Sequence, residues 1–184
     1  MRVDVHESML RGGIDPKSLP VLQRLVLTAD GTVTDLLEAY CGERMLVTVL
    51  RQEVVGLATV EPHHKARLGA GDGLRREIVL RGETSGRCQI YADSIIALDR
   101  IPVLVRDGLI EKAKGIGHLL LEHRIHTFKE IVECRRETAG SLAKLFEIAE
   151  DATLLSRTYI VFMDRVGSML ITEKIPELER RATV

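Results

Sequence analysis

Two stretches constrain this chain more than any other: Leu74 to Ile96 and Thr158 to Pro176. Both alternate apolar and polar residues at the period of a half-buried strand. In the first, Arg76, Ile78 and Leu80 share one side, and Glu77, Val79 and Arg81 share the other. Gly82-Glu83-Thr84-Ser85-Gly86 reads as a turn, and Cys88, Ile90, Ala92 and Ile96 then share a side. In the second stretch Met169, Ile171, Glu173 and Ile175 align. A guanidinium and a carboxylate are thus assigned to apolar faces. Removing one partner of a buried ion pair costs roughly 3–5 kcal/mol, so such charges are either paired or put to use. We read them as lining one pocket for a small organic anion. A buried Arg76–Glu173 ion pair is the alternative, and Arg75 competes with Arg76 if the register shifts by one residue.

A length of 184 residues suits one domain with a real core, taken as 1–184 with loosely ordered tails at 1–14 and 177–184. The net charge of −1 provides no global attraction to nucleic acid or an anionic membrane, and no Trp is present for base stacking. Cys41, Cys88 and Cys134 are too dispersed for a disulfide framework or zinc site, which predicts buried, reduced thiols. No signal peptide or membrane-length apolar run is found, so a cytoplasmic protein is expected.

Along the chain, Asp15-Pro16 reads as a helix start and Asp30-Gly31 as its stop. Thr32 caps a second helix bearing Val33, Leu36, Leu37 and Tyr40, ended by Gly42. Met45 to Val60 is strand-like, with Arg51-Gln52-Glu53 as a bend or interruption, and Glu61 to Gly73 is a loop that can edge the pocket. Pro102 marks a sheet margin, and Asp107-Gly108 opens a helix broken at Gly115-Ile116-Gly117 and resumed from His118 to about Thr127. Phe128 to Glu133 alternates as a strand, Gly140 to Glu150 reads as a helix, and a final hairpin turns at Asp164-Arg165-Val166-Gly167. Strands in tight hairpins are antiparallel, so the class is α+β: one antiparallel sheet covered by helices.

Other motifs carry less. His118, His123 and His126 lack a carboxylate at a familiar metal spacing, and His63-His64 sit in a loop, so no metal is predicted. Gly115-Ile116-Gly117 lies between helices rather than after a strand and reads as a tight corner, though it can present backbone N–H groups to an anion.

Taken together, four segments resemble the chorismate pyruvate-lyase family from about Asp30 to Pro176. They are Val47-Thr48-Val49-Leu50-Arg51, Arg76-Glu77-Ile78-Val79-Leu80, Gly115-Ile116-Gly117-His118-Leu119-Leu120 and Leu170-Ile171-Thr172-Glu173-Lys174-Ile175-Pro176. The resemblance implies elimination of pyruvate from chorismate to give 4-hydroxybenzoate, with no metal or organic cofactor. It implies Arg76 at the ring carboxylate, Glu173 at the hydroxyl end, backbone contacts from Ile116 and Gly117, and Val33 near a ring-packing position. Two features depart from the family pattern. Asp93-Ser94 stands where an arginine is usual, and the segment Ala139–Asp151 is longer. The alternative is a binding module or sensor for an aromatic carboxylate, because the same fold resembles effector domains of winged-helix regulators. Residues 1–14 leave no room for a DNA-binding domain before the first predicted helix, which weighs against that alternative.

Overall fold

The computed structural model describes residues 3–59, 67–111 and 115–178. Its centre is a six-stranded sheet in the order β1-β2-β3-β6-β5-β4, every neighbouring pair antiparallel. The strands are β1 (Met45–Gly56), β2 (Asp72–Gly82), β3 (Cys88–Ala97), β4 (Phe128–Thr138), β5 (Thr153–Met163) and β6 (Val166–Pro176). Two three-stranded meanders are therefore joined at a seam between β3 and β6. The helices are α1 (Val3–Arg11), α2 (Val21–Thr28), α3 (Val33–Cys41), α4 (Val103–Ile110), α5 (Ile116–Glu122) and α6 (Ala143–Phe146).

The main core lies on the face carrying Leu74, Leu80, Ile90, Ala92, Ile96, Tyr159, Met169 and Ile171. Residues from α1 to α5 cover it, including Met9, Leu27, Leu37, Val105 and Leu119. On the opposite face Val79, Tyr91 and Leu154 pack against Ala143 and Phe146. Each β-branched run is thus used on both sides, as the two-residue period requires.

Several expectations need correction. Residues 3–14 are not a loose tail: α1 buries Val5 and Met9, and Ile14 follows it into the core. Its polar residues obscured an apolar stripe at helical spacing. At 177–184, Glu177 and Leu178 are described, with Glu177 paired to Arg136 at 2.7 Å, and 179–184 lie outside the described residues. Asp15 does not start α2. Its side chain accepts from the Lys17 N–H at 2.9 Å in a local turn, and the helix begins after Pro20, where φ is fixed by the ring. Likewise α4 begins after Pro102, earlier than Asp107-Gly108 suggested. The resumed helix, α5, stops at Glu122. The predicted helix from Gly140 to Glu150 shrinks to a 3-10 turn and the single turn of α6, ended by Glu147 at φ 57°.

The polar triplet Arg51-Gln52-Glu53 does not interrupt β1: the strand is continuous, and the bend takes the form of a register shift between Val49 and Arg51. The hairpin turn Asp164-Arg165 has φ of 48° and 67°, matching the right-handed strand twist. In the loop before β2, Arg67 to Gly71 is described; Arg100 donates to the Arg67 carbonyl at 3.0 Å. His63 and His64 lie outside the described residues. Among the described residues no helix is long and apolar enough to cross a membrane.

Cys134 is buried and Cys41 and Cys88 are half-buried, all free. Cys88 packs with the Val79/Tyr91 cluster rather than beside Ile90, because the β2–β3 register shifts between Leu80 and Arg81. Burial pushes its thiol pKa up to about 11, so the thiolate is scarce at neutral pH. Alkylation by iodoacetamide at pH 8 is therefore expected to be slow at Cys88 in the native protein and fast after denaturation, read by mass spectrometry. The end of α1 meets β4 closely: a Cβ on Gly12 would lie 1.8 Å from the Cys134 carbonyl oxygen. Gly12→Ala is expected to lower stability by about 1–3 kcal/mol in a urea titration, which a loose N-terminal tail would not show.

Candidate functional site

A cavity of about 210 Å³ lies between the main-core face of the sheet and the N-terminal ends of α3 and α5. This is below the roughly 300–1,000 Å³ of pockets for drug-sized ligands and suits a smaller molecule. Val33, Arg76, Ile116, Gly117 and Glu173 all line it. These residues come from α3, β2, α5 and β6, so only folding brings them together.

The floor follows from sheet register. Arg76 lies opposite Ser94 on β3, and Ser94 opposite Ile171 on β6. Ala92 lies between Ile78 and Glu173 in the adjacent row. Arg76 and Glu173 are therefore two strands and one side-chain row apart, about 12 Å between Cα atoms from ordinary strand spacing and rise. Ile78, Leu80, Ile90, Val161 and Ile171 make the surrounding floor apolar. Arg75 projects to the other face, where it pairs with Asp93 at 2.9 Å. The departure at Asp93-Ser94 thus splits: Asp93 neutralises Arg75 outside, and Ser94 faces the cavity beside Arg76.

Arg76 is only 1% exposed, and burial lowers its pKa from the ordinary guanidinium value. Glu173 is not isolated in apolar surroundings. Arg157 Nε donates to Oε2 at 2.7 Å and the Tyr159 hydroxyl donates to Oε1 at 2.9 Å. The close ion-pair partner of Glu173 is therefore Arg157, where the paired alternative had named Arg76. Burial works against the Arg157 charge, but Glu173 and Tyr159 hold its pKa above the usual value. Burial, followed by the charge of Glu173, raises the Tyr159 pKa well above that of a free phenol.

Arg157 escaped sequence reasoning because the strand was taken to start at Thr158, whereas β5 begins at Thr153; Tyr159 lay within the strand but was not weighed as a site residue. The signal was present: Arg157, Tyr159 and Val161 alternate on one side of β5. Lys129 on β4 was also missed. It lines the cavity, donates to the Gly31 carbonyl at 2.6 Å and lies 5.4 Å from the Tyr159 ring centre. Burial lowers its pKa, with Glu173 acting in the opposite direction.

The cover is equally specific. A Cβ on Gly117 would come within 2.8 Å of Thr32 Cγ2, so the first turn of α5 approaches the start of α3 only because a side chain is absent there. Asp30 to Thr34 form one side of the cover and Gly115 to Gly117 the other. His118 and Glu122 lie 3.7 Å apart on the exposed side of α5. Among the described residues no group of three or more His, Cys, Asp or Glu is arranged to hold a metal ion.

Removing the Glu173 carboxylate would leave the Arg157 guanidinium buried without its counter-charge. Glu173→Ala is expected to cost about 3–5 kcal/mol in chemical denaturation. A loss below about 1 kcal/mol, as for an exposed pair, would contradict this description.

Comparison with known proteins agrees with the architecture. The chain is 30% identical over 107 residues to a chorismate pyruvate-lyase of Mycobacterium leprae, covering 58% of this chain and 50% of that protein. It is 29% identical over 109 residues to a chorismate pyruvate-lyase of Mycobacterium tuberculosis, covering 58% and 55%. The chain thus spans about half the length of the curated relatives it matches. Among solved structures, the effector domain of PhnF from Mycobacterium smegmatis is similar with a TM-score of 0.61 and 14% identity, covering 79% of this chain and 88% of that one. PhnF itself gives a TM-score of 0.63 at 12% identity, covering 100% of this chain and 93% of that one. At these identities the likeness is one of fold. Residues 27–181 match the family described as chorismate pyruvate-lyase Rv2949c-like. On that match across most of its length, with the fold and cavity described above, the chain belongs to the Rv2949c-like chorismate pyruvate-lyase family.

Proposed function

We propose that this protein is a carbon–oxygen lyase that converts chorismate to 4-hydroxybenzoate and pyruvate. The observation that carries the reading is that Arg76 and Glu173 line one largely apolar cavity from opposite sides of the β3–β6 seam. Family membership supports the reaction class.

In this reading Arg76 receives the ring carboxylate, for which a planar guanidinium is the natural partner. Its burial strengthens that attraction by excluding water. Ser94, opposite Arg76, offers a hydroxyl beside the same group. Glu173 accepts a hydrogen bond from the ring hydroxyl at the far end. A carboxylate has about four acceptor sites, so the bonds from Arg157 and Tyr159 leave capacity for a further donor. Val33, Ile116 and Gly117 close over the ring from the cover.

The net change is an elimination. The ring C3–O bond breaks, the hydrogen at ring C4 leaves, and the departing three-carbon unit gains that hydrogen at its methylene to become pyruvate. The ring becomes aromatic, so the driving force is in the substrate. The protein supplies orientation and exclusion of water. No redox partner enters this balance.

Purified protein incubated with chorismate is expected to release 4-hydroxybenzoate and pyruvate in equal amounts, followed by absorbance and chromatography. Arg76→Ala is expected to weaken substrate or product binding by about 10–100-fold, the worth of a hydrogen bond to a charged group. Glu173→Gln, nearly isosteric, is expected to reduce kcat by at least about tenfold. Full activity in either variant would overturn its assigned role. Thermal stabilisation by 4-hydroxybenzoate without turnover of chorismate would replace the lyase with a binding module.

A further inference from the structure

We infer that Arg157 and Tyr159 are positioning residues that aim the Glu173 carboxylate at the ligand hydroxyl and link that carboxylate to the cover of the cavity. The inference rests on the lyase reading and concerns two residues to which the family resemblance gives no role here.

The geometry is that of a two-point mount. Arg157 and Tyr159 lie two residues apart on β5 and so project to the same side. One donates to each oxygen of Glu173, at 2.7 Å and 2.9 Å. Two donors on different oxygens fix the plane of the carboxylate, whereas one donor leaves it free to rotate. The mount is itself rigid: Arg157 is 1% exposed, Tyr159 is buried, and the guanidinium lies 5.1 Å from the phenol ring centre.

Arg157 also reaches away from Glu173. Its Nη1 donates to the Ala29 carbonyl at 2.8 Å. Ala29 follows α2 and immediately precedes Asp30 to Thr34, the segment that covers the cavity. One planar side chain therefore spans the floor carboxylate and the root of the cover. Lys129, donating to the Gly31 carbonyl from β4, ties the same segment down two residues later. Arg157 thus takes part both in orienting Glu173 and in seating Ala29. A lysine at 157 has no planar fork with which to reproduce both bonds.

The test compares 4-hydroxybenzoate with benzoate, which lacks the hydroxyl. Calorimetric dissociation constants and chorismate kinetics are measured for the wild type, Tyr159→Phe and Arg157→Lys, with thermal unfolding in parallel. In the wild type 4-hydroxybenzoate is expected to bind at least about tenfold more tightly than benzoate, since a buried acceptor rejects a ligand that leaves it unmatched. In Tyr159→Phe that preference is expected to fall by about tenfold while the benzoate constant stays within about twofold. In that variant kcat/KM for chorismate is expected to fall by about tenfold, since the same hydroxyl contact is loosened. A general loss of packing would weaken both ligands together, so the ratio separates positioning from a structural role. Arg157→Lys is expected to show the same loss of preference and, through the cover, faster ligand release in stopped flow. If Arg157→Lys does not fold, Tyr159→Phe decides the matter alone. A preference retained in Tyr159→Phe overturns the inference and leaves the lyase reading intact. A wild type that turns over chorismate but shows no preference also overturns the inference alone. A wild type with neither turnover nor preference overturns both.

Discussion

The ion pair between Arg157 and Glu173 joins β5 to β6 on the core face, where water cannot solvate either charge well. Taking two ions out of water costs several kcal/mol each, and only close geometry with further hydrogen bonds offsets it. Both conditions are met: the contact is 2.7 Å, Tyr159 occupies the second carboxylate oxygen, and the Ala29 carbonyl accepts from the guanidinium. The same guanidinium, together with Lys129, holds the segment leading into α3, and with it one wall of the cavity.

The second constraint is topological. Each meander alone presents one twisted face with side chains at fixed rows. Joining β3 to β6 sets Arg76 of the first meander in register with Ile171 of the second and leaves Glu173 one row along. A shift of one residue at that seam would turn Glu173 to the other face, where Glu77 and Asp93 lie with Arg75. Polarity is therefore sorted by face: Arg75 is partly exposed and neutralised beside Asp93, and its neighbour Arg76 is buried at the cavity.

This separation explains how a fold shared with regulator effector domains can suit chemistry on a small ring. The sheet supplies a rigid apolar floor with a cation at one place and a mounted carboxylate at another. Two short helical starts, brought together at Gly117 and Thr32, supply the cover. A reaction driven by aromatisation asks little more of a protein than a held conformer in a dry site. The lyase reading follows from this match between site and substrate, together with the family to which the chain belongs.

Local periodicity by itself determined much of this protein. Alternation in Leu74–Ile96 and Thr158–Pro176 was enough to turn Arg76 and Glu173 inward, because side chains on a strand have no other choice than two faces. Asp30-Gly31 fell just past the end of α2 and Gly42 at the end of α3, since those residue types stop helices for local reasons. What the sequence could not determine was partnership across strands. The hairpin at Asp164-Arg165 already places β5 beside β6, but that Arg157 lies opposite Glu173 depends on the register, which shifts between Val161 and Phe162. The same holds for α1, whose burial needs β4 as a neighbour, and for Lys129, which lines the cavity where β4 reaches the segment before α3. Periodicity is a property of the local chain; pairing, burial and the cavity are decided by contacts between segments far apart along it.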